Sequence, residues 1–376
     1  MKTIRRFVLL AMVGLLIVGV LPGAVAQDDE PVEVRLQLKW VTQAQFAGYY
    51  AALQQGYYEE EGLDVTIIPG GPDISPQQVV AAGGAEFGLD WMGSHLAARE
   101  QIINGGGSGP VNIGQIFQRS GMREIAFADS GIETIEDLEG QNVGVWFLGN
   151  ELPLFAALVA NDLDPEDPND VNIIAQAFDM VAFINGELDA AAAMTYNEMA
   201  QVLEYQGEGD EFPVYTMDDL NVIDLNEVGT AMLEDEIYAN EDWLAEEGNE
   251  DVAVRFLRAS FRGWIYCRDN PDDCVDYVLE EGSALGEGHQ RWMMNEINKL
   301  IWPSPNGIGI HDPELVERTA DIALTYGVIE EEMDEGAWRG DLAQQALDSL
   351  VEMYPDLDVT GEDWEPAEVE ITPGGE

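Results

Sequence analysis

The chain has few basic residues for its length. Its 376 residues include 16 Lys and Arg against 73 Asp and Glu, so the formal net charge is −57 at pH 7. Nucleic-acid binding depends on Lys and Arg that neutralise phosphates, and binding to anionic membranes depends on the same residues. The composition therefore argues against nucleic acids and anionic membrane surfaces as partners.

Histidine and cysteine are also scarce, with three His and two Cys in the chain. The cysteines, Cys267 and Cys274, have no second pair and no nearby histidine, which argues against a zinc site. Six residues, including Asn270-Pro271, lie between them. In an oxidising compartment two cysteines this close form a natural disulfide. We predict that they close a turn between two helices, and we expect no metal site.

The N-terminal residues have the pattern of a secretory signal. A basic start over residues 1–6 precedes an apolar stretch over residues 7–21, and Ala24-Val25-Ala26 gives an A-x-A cleavage site. The apolar stretch is short for a membrane-spanning helix, and no cysteine near the cleavage site could carry a lipid. We predict that residues 1–26 are a signal peptide and that the protein is secreted, periplasmic or at the outer face of the cell membrane.

The order of predicted elements is that of an α/β protein, because strands alternate with helical segments. Strands are predicted at residues 32–40, 63–68, 87–91, 143–147, 171–174 and 190–195. After Asp242 the pattern is mainly helical, and one helix face is apolar (Val252, Phe256, Leu257, Phe261, Trp264 and Ile265). With 46% hydrophobic residues, the chain can bury a sizeable core.

This order predicts two α/β lobes, each with a mostly parallel sheet flanked by helices, joined by two hinge crossovers. Residues 32–120 and 235–350 form the first lobe, and residues 121–234 form the second. Residues 355–376 are predicted to be a loosely held acidic tail, because they are rich in Pro, Gly and carboxylates.

The segments after the predicted strands carry the candidate site, because ligands of open α/β sheets bind beyond the carboxyl ends of the strands. These segments are rich in Trp, Tyr, Asn, Gln and carboxylates. Such side chains suit a site that stacks on a flat polar ligand and forms hydrogen bonds with its edges. The candidate ligand-binding residues are Trp40, Gln45, Phe46, Tyr49, Asp90, Trp91, Trp146, Asn150, Glu151, Tyr196, Asn197 and Glu198.

Some of these candidates have a structural explanation as well. Phe46 and Tyr49 share one helix face, so at least one of them can belong to the core. Asp90, Asn150 and Glu151 each precede or open a helix, where they could act as caps.

Two motifs resemble the thiamine-precursor-type substrate-binding proteins of ABC importers. They are residues 38–50 (LKWVTQAQFAGYY) and 56–65 (GYYEEEGLDV), followed by Pro69-Gly70-Gly71-Pro72-Asp73. The resemblance covers about residues 32–350. It implies a type II periplasmic-binding-protein fold, a monomer whose lobes close over a ligand, and a membrane permease as partner.

Later segments look closer to the riboflavin-binding branch of that family than to the formylaminopyrimidine-binding branch. They span residues 115–122, 143–151, 193–198, 267–270 and 295–303. An isoalloxazine needs a wider aromatic clamp than a single pyrimidine, and Trp40, Trp91 and Trp146 could supply it. The expected ligand is riboflavin, and a thiamine pyrimidine precursor is the alternative.

The family also has an enzyme branch, which builds a thiamine pyrimidine from a lysine-bound pyridoxal phosphate and its own histidine. Residues 88–97 (GLDWMGSHLA) would carry that lysine, but they contain none, and Asp90 stands where it is expected. The resemblance therefore implies a binding protein with no enzymatic activity and no cofactor. A secreted hydrolase with paired carboxylates is a further alternative, although no isolated Asp/Glu pair supports it.

Overall fold

The computed structural model describes residues 30–207, 212–282 and 284–376. The predicted signal peptide, residues 1–26, lies outside the described residues. Within those three ranges, no helix is both long and apolar enough to cross a membrane.

The described part of the chain contains two sheets of five strands each. The strands are β1 (Val32–Gln37), β2 (Leu63–Ile68), β3 (Phe87–Asp90), β4 (Pro110–Gln115), β5 (Met122–Phe127), β6 (Asn142–Val145), β7 (Asn172–Ala175), β8 (Ala190–Met194), β9 (Leu220–Asp224) and β10 (Glu236–Asn240). The order across the first sheet is β2-β1-β3-β10-β4, and across the second it is β7-β6-β8-β5-β9.

In each sheet four strands run in one direction and one strand is reversed. β1 pairs in parallel with β2 and β3, whereas β10 pairs antiparallel with β3 and β4. In the second sheet β6 pairs in parallel with β7 and β8, whereas β5 pairs antiparallel with β8 and β9. The reversed strands, β5 and β10, are the first that the chain forms after crossing between the sheets. The predicted α/β class is confirmed, and we call the first sheet with its helices lobe 1 and the second lobe 2.

The six strands predicted from periodicity all form, with ends that shift by up to three residues. The largest shift is at β1, which ends at Gln37, so that Trp40 lies in the loop beyond it. β4, β5, β9 and β10 were not among the predicted strands. All six residues of β4 are buried, and most residues of β5 and β10 are buried as well. A strand that is covered on both faces gives no apolar–polar alternation to detect.

The helices in the described ranges are α1 (Ala47–Gln54), α2 (Tyr57–Glu60), α3 (Pro76–Ala81), α4 (Met92–Asn104), α5 (Leu152–Ala160), α6 (Val181–Ile184), α7 (Glu198–Leu203), α8 (Leu225–Val228), α9 (Glu241–Leu244), α10 (Asn249–Asp269), α11 (Pro271–Glu281), α12 (Glu287–Ile301), α13 (Pro313–Thr325) and α14 (Gly340–Met353). The predicted apolar face lies on α10, and all of its members are buried. α10 packs tightly on α1. The ring of Trp264 lies so close to Gly48 that a Cβ atom added there would overlap it.

The predicted disulfide is present. Cys267, near the end of α10, is bonded to Cys274, in the first turn of α11, with an S–S distance of 2.03 Å. Pro271 begins α11, where its missing N–H costs no helical hydrogen bond. The bond therefore holds the turn between two helices, as the spacing predicts.

The C-terminal tail packs against the rest of the chain, so the prediction that it is loosely held is wrong. The N–H groups of Ser304 and Ile308 donate to the carbonyl oxygens of Thr360 and Val359, at 2.8 and 2.9 Å. Leu357, Val359 and Trp364 pack against the main core. The acidic, Pro- and Gly-rich composition hides these few apolar anchors.

The end of the tail contacts both α12 and lobe 2. Gly374 N–H donates to the carbonyl oxygen of Glu204, which follows α7, at 2.8 Å. Ile371 packs against the core of lobe 2. On α12, a Cβ atom at Gly288 would overlap the Thr372 hydroxyl. The tail is thus a further non-covalent connection across the two lobes.

We predict that Gly288→Ala loosens the tail. Alanine stabilises a helix by about 1 kcal/mol relative to glycine. If the added methyl group met no other atoms, Gly288→Ala in α12 would therefore stabilise the protein. Overlap with Thr372 should instead lower the free energy of unfolding by about 1–3 kcal/mol and expose the tail to proteolysis. Gly71→Ala is the control, because its added Cβ meets nothing within 4 Å. If proteases cleave the tail of Gly288→Ala no faster than the tail of the wild type, this packing is contradicted.

Candidate ligand-binding site

A cavity of about 330 Å³ lies at the carboxyl ends of strands from both sheets. This is the place where open α/β sheets bind ligands. Lobe 1 contributes Trp40, Gln43 and Gln45 after β1 and Trp91 after β3. Lobe 2 contributes Trp146, Phe178 and the segment Tyr196–Glu198, and α12 contributes His289 and Gln290.

Aromatic rings from both lobes form the walls of the cavity. The rings of Trp40 and Phe178 meet across the cleft, with centroids 4.9 Å apart and an angle of 58° between their planes. Trp146 lies nearly parallel to Phe178, with an interplanar angle of 8° and a centroid distance of 6.3 Å. Trp146 Nε1 donates to the carbonyl oxygen of Ala177 at 3.2 Å, which fixes this ring. Such walls suit a flat ligand that stacks on aromatic faces.

A buried carboxylate, Asp235, organises the polar side of the cavity. It accepts hydrogen bonds from Gln45 Nε2 at 2.9 and 3.0 Å and from Trp91 Nε1 at 3.0 Å. Gln43 Nε2 in turn donates to Gln45 Oε1 at 2.7 Å. Burial, and secondarily the charge of Glu234, raise the pKa of Asp235 to about 7. Asp235 thus fixes the orientation of two groups that line the cavity, Gln45 and Trp91.

Beneath the two tryptophans of lobe 1 lies a buried ion pair. Lys39 Nζ bonds to Asp90 Oδ1, and neither side chain is more than 5% exposed. The ammonium group also lies 5.7 Å from the ring centroid of Trp40 and 5.1 Å from that of Trp91. Asp90 also accepts from Ser94 Oγ at 2.6 Å. The geometry allows cation–π attraction to both rings, so the pair supports the aromatic wall from below.

On the lobe 2 side, polar groups connect α7 to α12. Glu198 accepts from Met194 N–H at 3.1 Å and from Asn197 Nδ2 at 2.7 Å, and burial raises its pKa to about 7. His289 Nε2 lies 2.9 Å from Asn197 Oδ1, and its Nδ1 lies 2.8 Å from a Glu204 carboxylate oxygen. Through these contacts, His289 of α12 is held beside Asn197 and Glu198 in the lining of the cavity.

The structure brings together seven of the twelve predicted site residues. These seven line the cavity: Trp40, Gln45, Trp91, Trp146, Tyr196, Asn197 and Glu198. Their contact with a ligand stays a prediction.

The other five predicted residues lie elsewhere. Phe46 and Tyr49 are core residues, and the Tyr49 ring packs edge-on against Trp264 at 5.6 Å. Asp90 is fully buried by its pairing with Lys39 and by the first turn of α4. Asn150 and Glu151 line a neighbouring cavity instead.

Several residues that line the cavity were not among the predicted site residues. Phe178 follows β7, so the strand-end rule could have found it. His289 and Gln290 lie on a helix far along the chain, and no local pattern connects them to the site; Gln290 Oε1 accepts from the N–H of Ala44 at 2.7 Å. The remaining missed lining residues include Gln43, Met194, Gln201 and Leu285.

Across the described ranges, no group of three or more His, Cys, Asp or Glu residues could hold a metal ion. The cavity instead offers aromatic faces, amide groups and carboxylates. It can therefore bind a planar ligand with hydrogen-bonding edges.

We predict that the protein loses stability as pH rises from about 4 to about 7. Burial raises the pKa values of Asp235, Glu198 and Glu234 to about 7, whereas such carboxyls titrate near about 4 when unfolded. The folded chain therefore binds more protons than the unfolded chain in this pH range. Each group can lower the free energy of unfolding by up to about 1.4 kcal/mol per pH unit there.

Asp235→Asn should flatten this dependence, measured as the free energy of unfolding in urea between pH 4 and pH 8. Asn also tolerates the left-handed backbone of this residue, whose φ is 49°. Asp64→Asn, an exposed change, is the control and should keep the wild-type slope. If Asp235→Asn keeps the wild-type slope, Asp235 does not contribute to the pH dependence of stability.

The chain is similar in sequence to curated proteins with different names. It is 26% identical over 257 residues to the formylaminopyrimidine-binding protein of Halalkalibacterium halodurans, covering 68% of this chain and 72% of that protein. It is 26% identical over 327 residues to the riboflavin-binding protein RibY of Chloroflexus aurantiacus, covering 83% and 86%. It is 24% identical over 304 residues to the 4-amino-5-hydroxymethyl-2-methylpyrimidine phosphate synthase of Aspergillus parasiticus, covering 77% and 80%.

Among solved structures, the fold is similar to the alkanesulfonate-binding protein SsuA from Xanthomonas axonopodis bound to MOPS. The TM-score is 0.60 at 13% identity, and the match covers 83% of this chain and 99% of the other. These likenesses agree with the resemblance that the motifs indicate. The protein-family model described as NMT1/THI5 like matches residues 43–274, which is more than half of the sequence. The chain therefore belongs to the NMT1/THI5-like family.

Proposed function

We propose that the protein is the extracytoplasmic substrate-binding protein of an ABC importer, which captures riboflavin between its lobes and delivers it to a membrane permease. The observation that carries this proposal is the cavity between the sheets, which is lined by Trp40 and Trp91 of lobe 1 and by Trp146 and Phe178 of lobe 2. A flat ligand in this cavity contacts rings of both lobes, so that binding favours the closed form.

The composition of the cavity supports binding rather than catalysis. Among the described residues that line it there is no serine, cysteine or lysine. A nucleophile or a Schiff-base lysine would be needed for most covalent chemistry. Two of the relatives are named as binding proteins, which agrees with this composition. The N-terminal signal pattern supports a place outside the cytoplasm.

The number of aromatic side chains supports a tricyclic ring as the ligand. Five of them line the cavity, and a second cavity of about 360 Å³ shares two of its lining residues. A formylaminopyrimidine is the second candidate, because a relative of equal identity is named for it. A single pyrimidine would leave more of this aromatic surface without a contact.

Titration of purified protein with riboflavin tests the proposal. Stacking on tryptophan should quench the flavin fluorescence, with a Kd of about 1 μM or tighter. Competition calorimetry with formylaminopyrimidine separates the two candidates. Absence of quenching and of heat with riboflavin would reject the flavin, and binding of formylaminopyrimidine alone would select the second candidate.

We predict that Trp40→Ala weakens riboflavin binding by about 1–3 kcal/mol without unfolding the protein, because it removes a stacking face. Trp364→Ala is the matched control, since this tryptophan lies in the tail and does not line the cavity. Isothermal calorimetry gives the affinities, and circular dichroism verifies the fold. Equal affinity of wild type and Trp40→Ala would remove Trp40 from the site.

We predict that Gly149→Ala hinders lobe closure. Gly149 of lobe 2 has a φ of 93°, and an added Cβ would overlap Ser94 of lobe 1. The substitution should lower riboflavin affinity about tenfold or more, since closure contributes to binding. Gly186→Ala has a similar positive φ of 72° but meets nothing within 4 Å. If both variants bind like wild type, contact between Gly149 and Ser94 is not needed for binding.

A further inference from the structure

A second cavity of about 360 Å³ adjoins the aromatic one. Trp40 and Pro72 line both cavities, so the two spaces meet at these residues. Lobe 1 contributes Lys39 and Trp40 after β1, the loop before α3, the first turn of α3 and one side of α4 from Ser94 to Ile102. Lobe 2 contributes residues 148–152. The second cavity therefore also lies between the lobes.

The lining of the second cavity includes neutral hydrogen-bonding groups beside apolar side chains. Hydroxyl and amide side chains on it are Ser75, Gln77, Gln78, Ser94, Gln101 and Asn150. Such groups both donate and accept hydrogen bonds, which matches a ligand with several hydroxyl groups. The aromatic cavity carries amide groups as well, but its walls include five aromatic rings.

The charges on the second cavity do not favour an anion. Its charged lining residues, among those described, are Lys39 and Glu151. The Lys39 ammonium is already paired with Asp90. The described part of this lining has no arginine that could bind a phosphate through two hydrogen bonds. Glu151 would repel an anion, so a neutral ligand group fits better.

Asn150 offers an open acceptor in this cavity. Its side chain is 1% exposed, and its Nδ2 donates to the carbonyl oxygen of Phe147 at 2.7 Å. Its Oδ1 has no hydrogen-bond partner in the structure. A buried carbonyl oxygen without a donor is costly, and a ligand hydroxyl could satisfy it.

We propose that the second cavity is a subsite for a neutral polyhydroxylated chain that is attached to the ring bound in the first cavity. This proposal rests on the proposed function and narrows its substrate class. The ligand is then a flat heteroaromatic ring with a sugar-alcohol chain, such as the ribityl chain of riboflavin. A lone pyrimidine or a phosphorylated flavin fits the pair of cavities less well.

Calorimetry with three flavins tests the subsite. Lumiflavin has the ring of riboflavin but a methyl group in place of the ribityl chain, and flavin mononucleotide adds a phosphate to that chain. We expect riboflavin to bind about tenfold more tightly than lumiflavin, and flavin mononucleotide to bind more weakly than riboflavin.

A variant of the second cavity locates the effect. Gln77 is 7% exposed at the start of α3, and its Oε1 accepts from Ser75 Oγ at 2.7 Å. Gln77→Ala should lower riboflavin affinity about fivefold and leave lumiflavin affinity unchanged, since lumiflavin has no chain to lose a contact. Gln344→Ala, a change at an exposed glutamine on α14, is the control and should alter neither affinity. Unchanged lumiflavin binding also shows that Gln77→Ala is folded.

The outcomes separate this proposal from the function on which it rests. If riboflavin and lumiflavin bind equally and Gln77→Ala changes neither affinity, the proposed subsite is rejected, whereas the proposed function as a flavin receptor is retained. If flavin mononucleotide binds as tightly as riboflavin, the subsite is not selective for a neutral chain. If neither riboflavin nor lumiflavin binds, the proposed ligand and the subsite both fail.

Discussion

The buried pair between the Lys39 ammonium and the Asp90 carboxylate joins the ends of β1 and β3, and both cavities are built around it. Trp40 and Trp91, whose rings lie over this ammonium, line the aromatic cavity, and Lys39 itself lines the second one. A buried charge is tolerated only when it is paired and hydrogen-bonded, so loss of either partner would leave the other charge uncompensated. The position of the two tryptophans therefore depends on a contact outside the aromatic cavity.

The returning crossover adds a second constraint through three consecutive carboxylates. Glu234 accepts from the Ser120 hydroxyl and from Gly121 N–H at 2.9 Å, which ties the two crossovers together. Asp235 orients Gln45 and Trp91 in the cavity, as described above. Glu236 accepts from Asn112 Nδ2 at 2.6 Å on the lobe 1 side. One short segment thus connects the hinge, the cavity and the first sheet.

Much of this arrangement follows from local patterns, and the rest depends on contacts that are distant in sequence. Periodicity predicts β1, β2 and the apolar face of α10, and the strand-end rule places Trp40, Trp91 and Trp146 at the cleft. The same rule does not bring Asn150 and Glu151 into the aromatic cavity, because Leu148 and Gly149 adopt positive φ values and direct the chain to the second cavity. In a chain with 73 acidic residues, Glu234–Glu236 looks like another solvated acidic run, so its burial has no signal in the sequence. The contribution of α12 likewise depends on a tertiary contact, between Ala44 and Gln290.

We infer that rings from both lobes enclose one flavin molecule. Native mass spectrometry of the protein mixed with equal amounts of riboflavin and formylaminopyrimidine tests it most directly, because the mass difference identifies the ligand and its stoichiometry. Enclosure by both lobes predicts a single added mass equal to one riboflavin per chain. A complex that carries the pyrimidine instead, or no complex at all, would contradict it.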